Sequence, residues 1–298
     1  MDNLKSICAK KPEMVLLELT SKCNLNCDYC FKARAKIPSV EMEMDIFLKI
    51  QKNISGIKNV LLCGMGEQFL HKDIYNFIRL LEDKRLYILT NGTIPIDFPG
   101  LLKHGNLHTL IFSIDGPNEE IMKKSCVRYN YDALINNLDN SKQYKNFIKG
   151  ANYVMGPDNL EYVPDMFDFL QTFGFHSITL LLPTYNLKWI NRNLEKIRTQ
   201  VAKAGEKSLE TGIELYGPFS PQCTFNGAPV VSINTQGIFR ACCDPTLRSN
   251  FMADACTESL DTIWEHPDYE KFRSGIYCKK CIYNSPVFKN QEHLTAEV

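Results

Sequence analysis

Three cysteines on one short stretch, Cys23, Cys27 and Cys30, are the residues of this chain best placed to do chemistry. The run Cys23-Asn24-Leu25-Asn26-Cys27-Asp28-Tyr29-Cys30 spaces them as C-x3-C-x2-C. Three thiolates on one loop can each take one iron of a [4Fe–4S] cube, which leaves the fourth iron without a protein ligand. An open position lets a metal centre act on a bound ligand rather than only pass electrons, as it does for catalytic zinc. A zinc site and free thiols are the competing readings. Structural zinc usually joins a C-x2-C pair to a second pair, and this loop has no second pair nearby.

A second group follows far downstream: Cys223, Cys242 and the C-x2-C pair Cys278 and Cys281. Four thiolates can close a cluster completely, and a four-cysteine zinc site is the strongest alternative. Cys243 adjoins Cys242 and can take its place. Cys8, Cys63, Cys126, Cys243 and Cys256 remain. Twelve cysteines in a chain of 298 residues with no export signal point to metal or redox chemistry rather than to disulfides.

The elements that must position these residues alternate between strand and helix. Strands are expected at Met14–Thr20, Asn59–Cys63, Arg85–Thr90, Thr109–Ile114, Phe147–Met155 and Ser177–Leu182. Helical spacing lies between them, at Met42–Ile54, Asp73–Leu81, Tyr131–Lys142 and Tyr162–Phe173, and a long helix runs from about Leu187 to Glu210. Parallel pairs need crossovers, so this alternation predicts a parallel sheet in an α/β fold. Ligands of such sheets bind at the carboxyl ends of the strands. The cysteine loop, Gly64–Glu67, Asn91, Ser113, Asp115, Asn152 and Tyr153 all fall at those ends. After about Tyr216 the texture changes to a hairpin, Val230–Asn234 and Ile238–Cys242 around Thr235-Gln236-Gly237, followed by a helix over Leu260–Phe272. The expected division is 1–215 and 216–298, with the cysteines of the second part compensating for its small core.

Lys+Arg and Asp+Glu both total 34, so no basic excess calls for nucleic acid or an anionic membrane. No apolar run approaches the length of a membrane span, and the start has no signal-peptide core. A cytoplasmic protein is expected. Twenty-two residues precede Cys23, too few for a separate leader-peptide-binding domain ahead of it.

The first motif, with Tyr29 as the aromatic residue before the third cysteine, resembles the radical S-adenosylmethionine (SAM) superfamily. Gly64-Met65-Gly66-Glu67 resembles that family's GGE stretch after strand two, where backbone and Glu67 would hold the SAM amino group; Met65 stands where the family has glycine. Leu89-Thr90-Asn91-Gly92 resembles its strand-three ending. Ser113-Ile114-Asp115-Gly116 resembles its strand-four ending, where polar groups meet the SAM ribose. The resemblance implies a partial (β/α)6 barrel. It also implies that SAM chelates the open iron, that an electron cleaves its sulfonium, and that the 5′-deoxyadenosyl radical takes hydrogen from an unreactive C–H bond. A flavodoxin or ferredoxin-type reductant is implied as partner. The C-terminal texture, Gly237–Asp244, Leu260-x-x-Ile263-Trp264, Phe272-Arg273 and Cys-x-x-Cys, resembles the SPASM/twitch extension. It implies one auxiliary [4Fe–4S] cluster on Cys223, Cys242, Cys278 and Cys281.

A small-molecule substrate is expected: a sugar, aminocyclitol or nucleotide-linked sugar, with oxidation or epimerisation as the outcome. The chain resembles single-auxiliary-cluster enzymes of aminoglycoside biosynthesis, which include both types. Modification of a peptide or protein side chain and a zinc-binding structural protein are the alternatives. Cys243 and Cys256 are candidate hydrogen donors as well as ordinary packing thiols, and Cys126 can also reach the strand ends. Tyr153 and Arg240 are candidate general bases or substrate anchors, with Arg128 and Tyr185 behind them. His71 is expected to cap or pack at a helix start.

Overall fold

The structure is a computed structural model that describes residues 11–183, 186–218, 230–241 and 251–273. The six expected strands all form: β1 (Met14–Leu17), β2 (Asn59–Leu62), β3 (Arg85–Thr90), β4 (Leu107–Ser113), β5 (Ile148–Val154) and β6 (Ser177–Leu181). Four more follow: β7 (Glu214–Tyr216), β8 (Val230–Ile233), β9 (Ile238–Arg240) and β10 (Met252–Asp254). Strands β7 and β10 were not expected, because three residues are too few to show a period of two.

The chain divides into two compact units. The first takes Met1–Lys22, Ser39–Leu86 and the residues from Phe219 onward; the second takes Cys23–Pro38 and Tyr87–Pro218. In the first unit β1 is the central strand. It pairs in parallel with β2, Met14 opposite Asn59, and in parallel with β8, Met14 opposite Val230. Strands β8, β9 and β10 are antiparallel to one another in turn. The expected hairpin is therefore present, and its first strand also extends the β1–β2 pair. Its turn is built by Asn234, whose side-chain oxygen accepts from Gln236 N and Ile238 N, and by Gly237 at φ +80°. Buried Val15, Leu17, Val60 and Leu62 alternate with half-buried neighbours. The helix Met44–Asn53 buries Phe47 and Ile50, and Phe47 stacks on Phe77 of the helix Ile74–Leu80 with ring centroids 4.3 Å apart.

In the second unit β4, β5, β6 and β7 are parallel, and β3 lies next to β4. The alternation of burial gives each strand two faces. Leu110, Phe112, Ala151 and Tyr153 face the buried side, whereas Ile111, Ser113 and Asn152 are only half buried. Crossover helices Tyr131–Ser141 and Asp165–Thr172 contribute buried Leu134, Leu138, Met166, Phe167 and Leu170.

Two helices differ from expectation. The C-terminal helix is two: Leu260–Trp264 ends, and Pro267 opens Pro267–Arg273, since proline is favoured at a first helical turn and cannot continue an earlier one. The long helix runs Leu187–Thr211 but kinks at Asn193 (φ −116°, ψ 15°), whose side-chain amide donates to the Trp189 carbonyl at 2.9 Å. Among the described residues no helix is long and apolar enough to cross a membrane.

Lys149 in β5 is buried with its ammonium donating to the Phe173 carbonyl, at the end of the helix Asp165–Thr172, and to Ser141 Oγ at 3.3 Å. Burial, then Lys145 and Lys142, lower its pKa from 10.5 to about 8. The folded state thus releases this proton before the unfolded chain does, so its contribution to stability rises as pH goes from about 8 to 10.5 and is lost again on the way down. Urea unfolding midpoints of Lys149→Met should lack that part of the alkaline rise seen in the wild type.

Candidate functional site

The cysteine loop belongs to the second unit. Cys23, Cys27 and Cys30 are in no disulfide, and each is half buried. The loop is tightened by Cys30 N donating to the Cys27 carbonyl at 3.0 Å, and Cys30 then precedes the one-turn helix Phe31–Ala35. Cys23 Sγ accepts from Leu25 N at 3.5 Å and lies 4.0 Å from the Asn91 amide nitrogen. Among the described residues no three His, Cys, Asp or Glu side chains converge on a point that would hold one metal ion. A cube makes no such demand, because each thiolate binds a different iron.

Three sets of contacts anchor the loop. Asn24, Asn91 and Thr93 form a closed triangle: Asn91 Nδ2 donates to Asn24 Oδ1 at 3.0 Å, Asn24 Nδ2 to Thr93 Oγ1 at 2.8 Å, and Thr93 N and Oγ1 to Asn91 Oδ1 at 2.9 and 2.7 Å. Tyr129 Oη fixes the Asn91 carbonyl at 2.6 Å. The Tyr29 hydroxyl donates to Asp115 Oδ2, and Asp115 Oδ1 accepts from Val154 N at 2.8 Å. Burial raises Asp115 to about 6 against the pull of those two hydrogen bonds, and burial beside Asp115 pushes the Tyr29 phenol up. The third set lies at the end of the helix Glu119–Ser125: Asp28 N donates to the Ser125 carbonyl at 3.0 Å, and Cys27 and Cys126 are hydrogen-bonded sulfur to sulfur. That contact and burial push the Cys27 thiol up, and the same contact lowers Cys126 to about 6.

The first unit holds the Gly64–Glu67 stretch. Glu18, one residue beyond β1, accepts from Met65 N at 2.6 Å, and its side chain fills the space where a Cβ on Gly64 would stand, 2.4 Å away. Glu67 N donates to the Lys22 carbonyl at 2.8 Å, and Glu67 Oε1 accepts from Phe69 N. Gln68 is fully buried. Its amide oxygen accepts from Leu19 N at 3.0 Å, and its nitrogen donates to the Gly66 carbonyl at 3.2 Å. A Cβ on Gly66 would sit 2.3 Å from the Lys22 carbonyl oxygen and 2.4 Å from that of Thr20. Cys63, just before, is raised to about 12 by burial and by Glu18 and Glu67, so it stays a thiol. His71 packs at its helix start as expected: Nε2 meets the Met42 carbonyl at 3.1 Å and Nδ1 accepts from Asp73 N.

The other singled-out residues are spread out. Ser113 and Asn152 are direct partners across β4 and β5, on the half-buried face. Tyr153 is on the opposite, buried face, and its hydroxyl donates to the Asn159 carbonyl at 2.6 Å. Arg240 ends β9, half buried, with its Nε shielded and unbonded. Cys256 Sγ packs on Gly237, where an added Cβ would come within 2.3 Å of it, and burial and Asp254 raise its pKa. Cys223, Cys242, Cys243, Cys278, Cys281 and Tyr185 lie outside the described residues. Glu18, Asn24, Gln68, Thr93 and Tyr129 were not anticipated. The faint pointer to Glu18 was an acidic residue in an otherwise apolar strand, and to Asn24 a second amide inside the cysteine motif.

The described strands form an α/β fold with a parallel core and added antiparallel strands, the fold also of solved structures such as anSMEcpe. Residues 17–170 match the model of the radical SAM superfamily, and the chain belongs to that superfamily. A probable GTP 3′,8-cyclase of Methanocaldococcus jannaschii is 25% identical over 205 residues, 65% of this chain and 67% of that protein. A GTP 3′,8-cyclase of Nautilia profundicola is 27% identical over 176 residues, 55% and 54% respectively. The chain therefore spans about two thirds of the first and about half of the second. Among solved structures, anSMEcpe with bound AdoMet superposes with a TM-score of 0.72 at 15% identity, covering 91% of this chain and 87% of that one.

The family implies a [4Fe–4S] cluster and SAM, and the residues present suit both. The first loop offers three cysteines in no disulfide, with N–H donors around Cys23. The second offers a backbone turn with glycines where side chains would collide, buttressed by Glu18 and Gln68. Gly66→Ala has nowhere to place its methyl and should cost more than about 1 kcal/mol in stability while weakening SAM binding severalfold. Gly56→Ala, with nothing within 4 Å of its Cβ, should leave both unchanged. Calorimetric titration with SAM and thermal melts of the two variants check this.

Proposed function

We propose that this enzyme reductively cleaves SAM at a cluster on Cys23, Cys27 and Cys30 and acts on a small molecule. The observation that carries this reading is the set of three half-buried cysteines, none in a disulfide, on a tethered loop inside the matched radical SAM region. When bound, the reduced cluster supplies the electron that breaks the SAM sulfonium, and the adenosyl radical released takes hydrogen from the substrate. The chain's own residues set the stage. Asn24, Asn91 and Thr93 orient Cys23, while Tyr29 and Asp115 hold the loop between Cys27 and Cys30. The Gly64–Glu67 turn offers backbone groups and the Glu67 carboxylate to the SAM amino group, and Ser113 and Asn152 offer polar contacts at the strand ends.

A small substrate is supported by the two GTP 3′,8-cyclases, which by name act on GTP. Sugars, aminocyclitols and nucleotide-linked sugars share the hydroxyl-bearing carbons that such chemistry attacks. Residues 216–298 are assigned to a SPASM/twitch segment whose Cys223, Cys242, Cys278 and Cys281 hold one auxiliary [4Fe–4S] cluster, with Cys243 the alternative to Cys242. That cluster, closed by four thiolates, would accept an electron from a substrate radical and make the net reaction an oxidation. A thiol returning hydrogen, with Cys243 or Cys256 as donor, would make it an epimerisation. A flavodoxin or ferredoxin-type protein is the reductant.

Anaerobically purified protein should contain about eight irons per chain, two cubes of four, and Cys27→Ala should form no 5′-deoxyadenosine with dithionite and SAM. Two zincs without iron, or undiminished 5′-deoxyadenosine from the variant, would falsify the assignment. Turnover in heavy water separates the outcomes. Deuterium at a substrate carbon marks a thiol donor and epimerisation, an oxidised product without deuterium marks dehydrogenation, and a modified peptide as the sole product would replace the small-molecule reading.

A further inference from the structure

The reaction proposed above takes its electron from outside the chain, so a donor must reach the surface beside Cys23, Cys27 and Cys30. Two surface segments of the second unit flank that loop. The helix Phe31–Ala35 begins right after Cys30, and Arg34 N donates to the Cys30 carbonyl at 3.2 Å. The segment 125–130 is tied to the loop by Asp28 N on the Ser125 carbonyl at 3.0 Å, and is fixed by the Tyr129 hydroxyl on the Asn91 carbonyl at 2.6 Å. Charge is uneven here, although Lys+Arg and Asp+Glu both total 34 over the whole chain. In residues 23–38 and 125–130, Lys32, Arg34, Lys36 and Arg128 stand against Asp28 alone, and all of them but half-buried Lys32 are exposed. The neighbouring Lys123 and Lys124 are offset by Glu119 and Glu120, at 2.5 and 3.6 Å, and add little. Val127, 77% exposed, adds apolar area to this charged face, the mixture found at protein–protein contacts.

The backbone supplies a second observation. Lys36 closes the helix at φ 52°, ψ 42°, and is the one non-glycine residue with a positive φ among the described residues. Glycine is the residue that closes a helix in this way without steric cost. A lysine there keeps an exposed ammonium near the loop although the backbone disfavours it.

We infer that the face made by Lys32, Arg34, Lys36, Val127 and Arg128 docks an acidic one-electron carrier protein of the flavodoxin or ferredoxin type. This rests on the reading of the loop as a cluster site and adds the place at which the electron enters. One electron leaves the carrier, which is oxidised by one, and reduces the bound cluster by one; no bond is made or broken in the transfer. Opposite charges steer such partners together, and cations at a rim act mainly on the rate of encounter and its salt dependence. Redox encounters are among the smallest specific interfaces, in keeping with a patch of a few side chains. The zero net charge of the chain favours this local partner over nucleic acid, which draws on a broad basic surface.

The test uses the anaerobically reconstituted full chain and an acidic flavodoxin as probe. Flavodoxin affinity is measured by biolayer interferometry across a salt series. In parallel, 5′-deoxyadenosine formation is driven by reduced flavodoxin and by dithionite, a small reductant that needs no docking face. Lys36→Gly and the double variant Arg34→Glu, Lys36→Glu are compared with wild type and with Lys203→Glu, exposed on the long helix. The double variant should weaken flavodoxin binding and flavodoxin-driven turnover about tenfold at low salt, flatten the salt dependence, and leave dithionite-driven turnover unchanged. Lys36→Gly should weaken binding while holding or raising the melting temperature, a pairing that a merely structural lysine would not give. Lys203→Glu should behave as wild type. Binding that Lys36→Gly and the double variant leave intact overturns the inference. So does an equal loss of turnover with flavodoxin and with dithionite, which marks damage to the loop. A single-stranded RNA oligonucleotide that binds more tightly than flavodoxin, and is lost in the same variants, would assign the face to nucleic acid and overturns it too. The underlying reading is tested apart from this. Wild type that forms no 5′-deoxyadenosine with dithionite ends both readings, whereas dithionite-driven cleavage without binding of the flavodoxin or of an acidic ferredoxin ends this one alone.

Discussion

A carboxylate taken out of water must be satisfied by its surroundings, and the second unit is organised around one such group. Asp115 is almost fully buried, and both of its oxygens are used: one by the Tyr29 hydroxyl, the other by Val154 N. Its carbonyl accepts from Asn159 Nδ2 at 3.0 Å, and Asn159 also receives Gly156 N. One side chain thus joins the cysteine loop, the end of β4 and the end of β5. Burial lifts its pKa to about 6, and the two hydrogen bonds hold it below where burial alone would leave it. Removing either partner would leave a buried charge half satisfied, a cost of the kind that usually exceeds the worth of the bond itself.

The glycine turn of the first unit obeys a different constraint, that of space. Gly64 and Gly66 are required by close approach, not by an unusual backbone angle: the Glu18 side chain stands against one and the carbonyls of Thr20 and Lys22 against the other. Met65, which departs from the family's glycine, is accommodated because its role is played by the main chain, through the N–H given to Glu18. Gln68 follows Glu67, and its amide ties the segment after β1 to the turn.

Much of this was legible in the sequence. The cysteine spacing and the polar stops after apolar runs located both loops and all six strands, because strand ends in a parallel sheet are marked by composition. Side-chain direction was harder. Tyr153 adjoins Asn152 at a strand end, yet adjacent residues of a strand face opposite sides, and its hydroxyl is spent on Asn159. The anchoring partners Asn24, Thr93 and Tyr129 are invisible in one dimension, since the contacts joining Asn24 to Thr93 span 69 residues and those joining Tyr129 to Asn91 span 38. The helix break at Pro267 is readable from the proline itself, although the apolar spacing runs on through it. The split at Asn193 depends on a side-chain bond to Trp189 that no periodicity reveals.

The short segment from Glu18 to Lys22 has a consequence for how this chain can vary. Glu18 N is bonded to the Ile233 carbonyl, Leu19 N to Gln68, Ser21 N to the Val40 carbonyl and Lys22 N to Thr20 Oγ1. Thr20 itself bridges to Glu41. The stretch between the central strand and the first cysteine works as a ruler without slack. One residue added or removed would break this succession of bonds within the first unit. Evolution and protein engineers alike can rewrite the letters of this segment, within limits, but its length is fixed; variation in length has to be found in the outer turns, where the backbone answers to water.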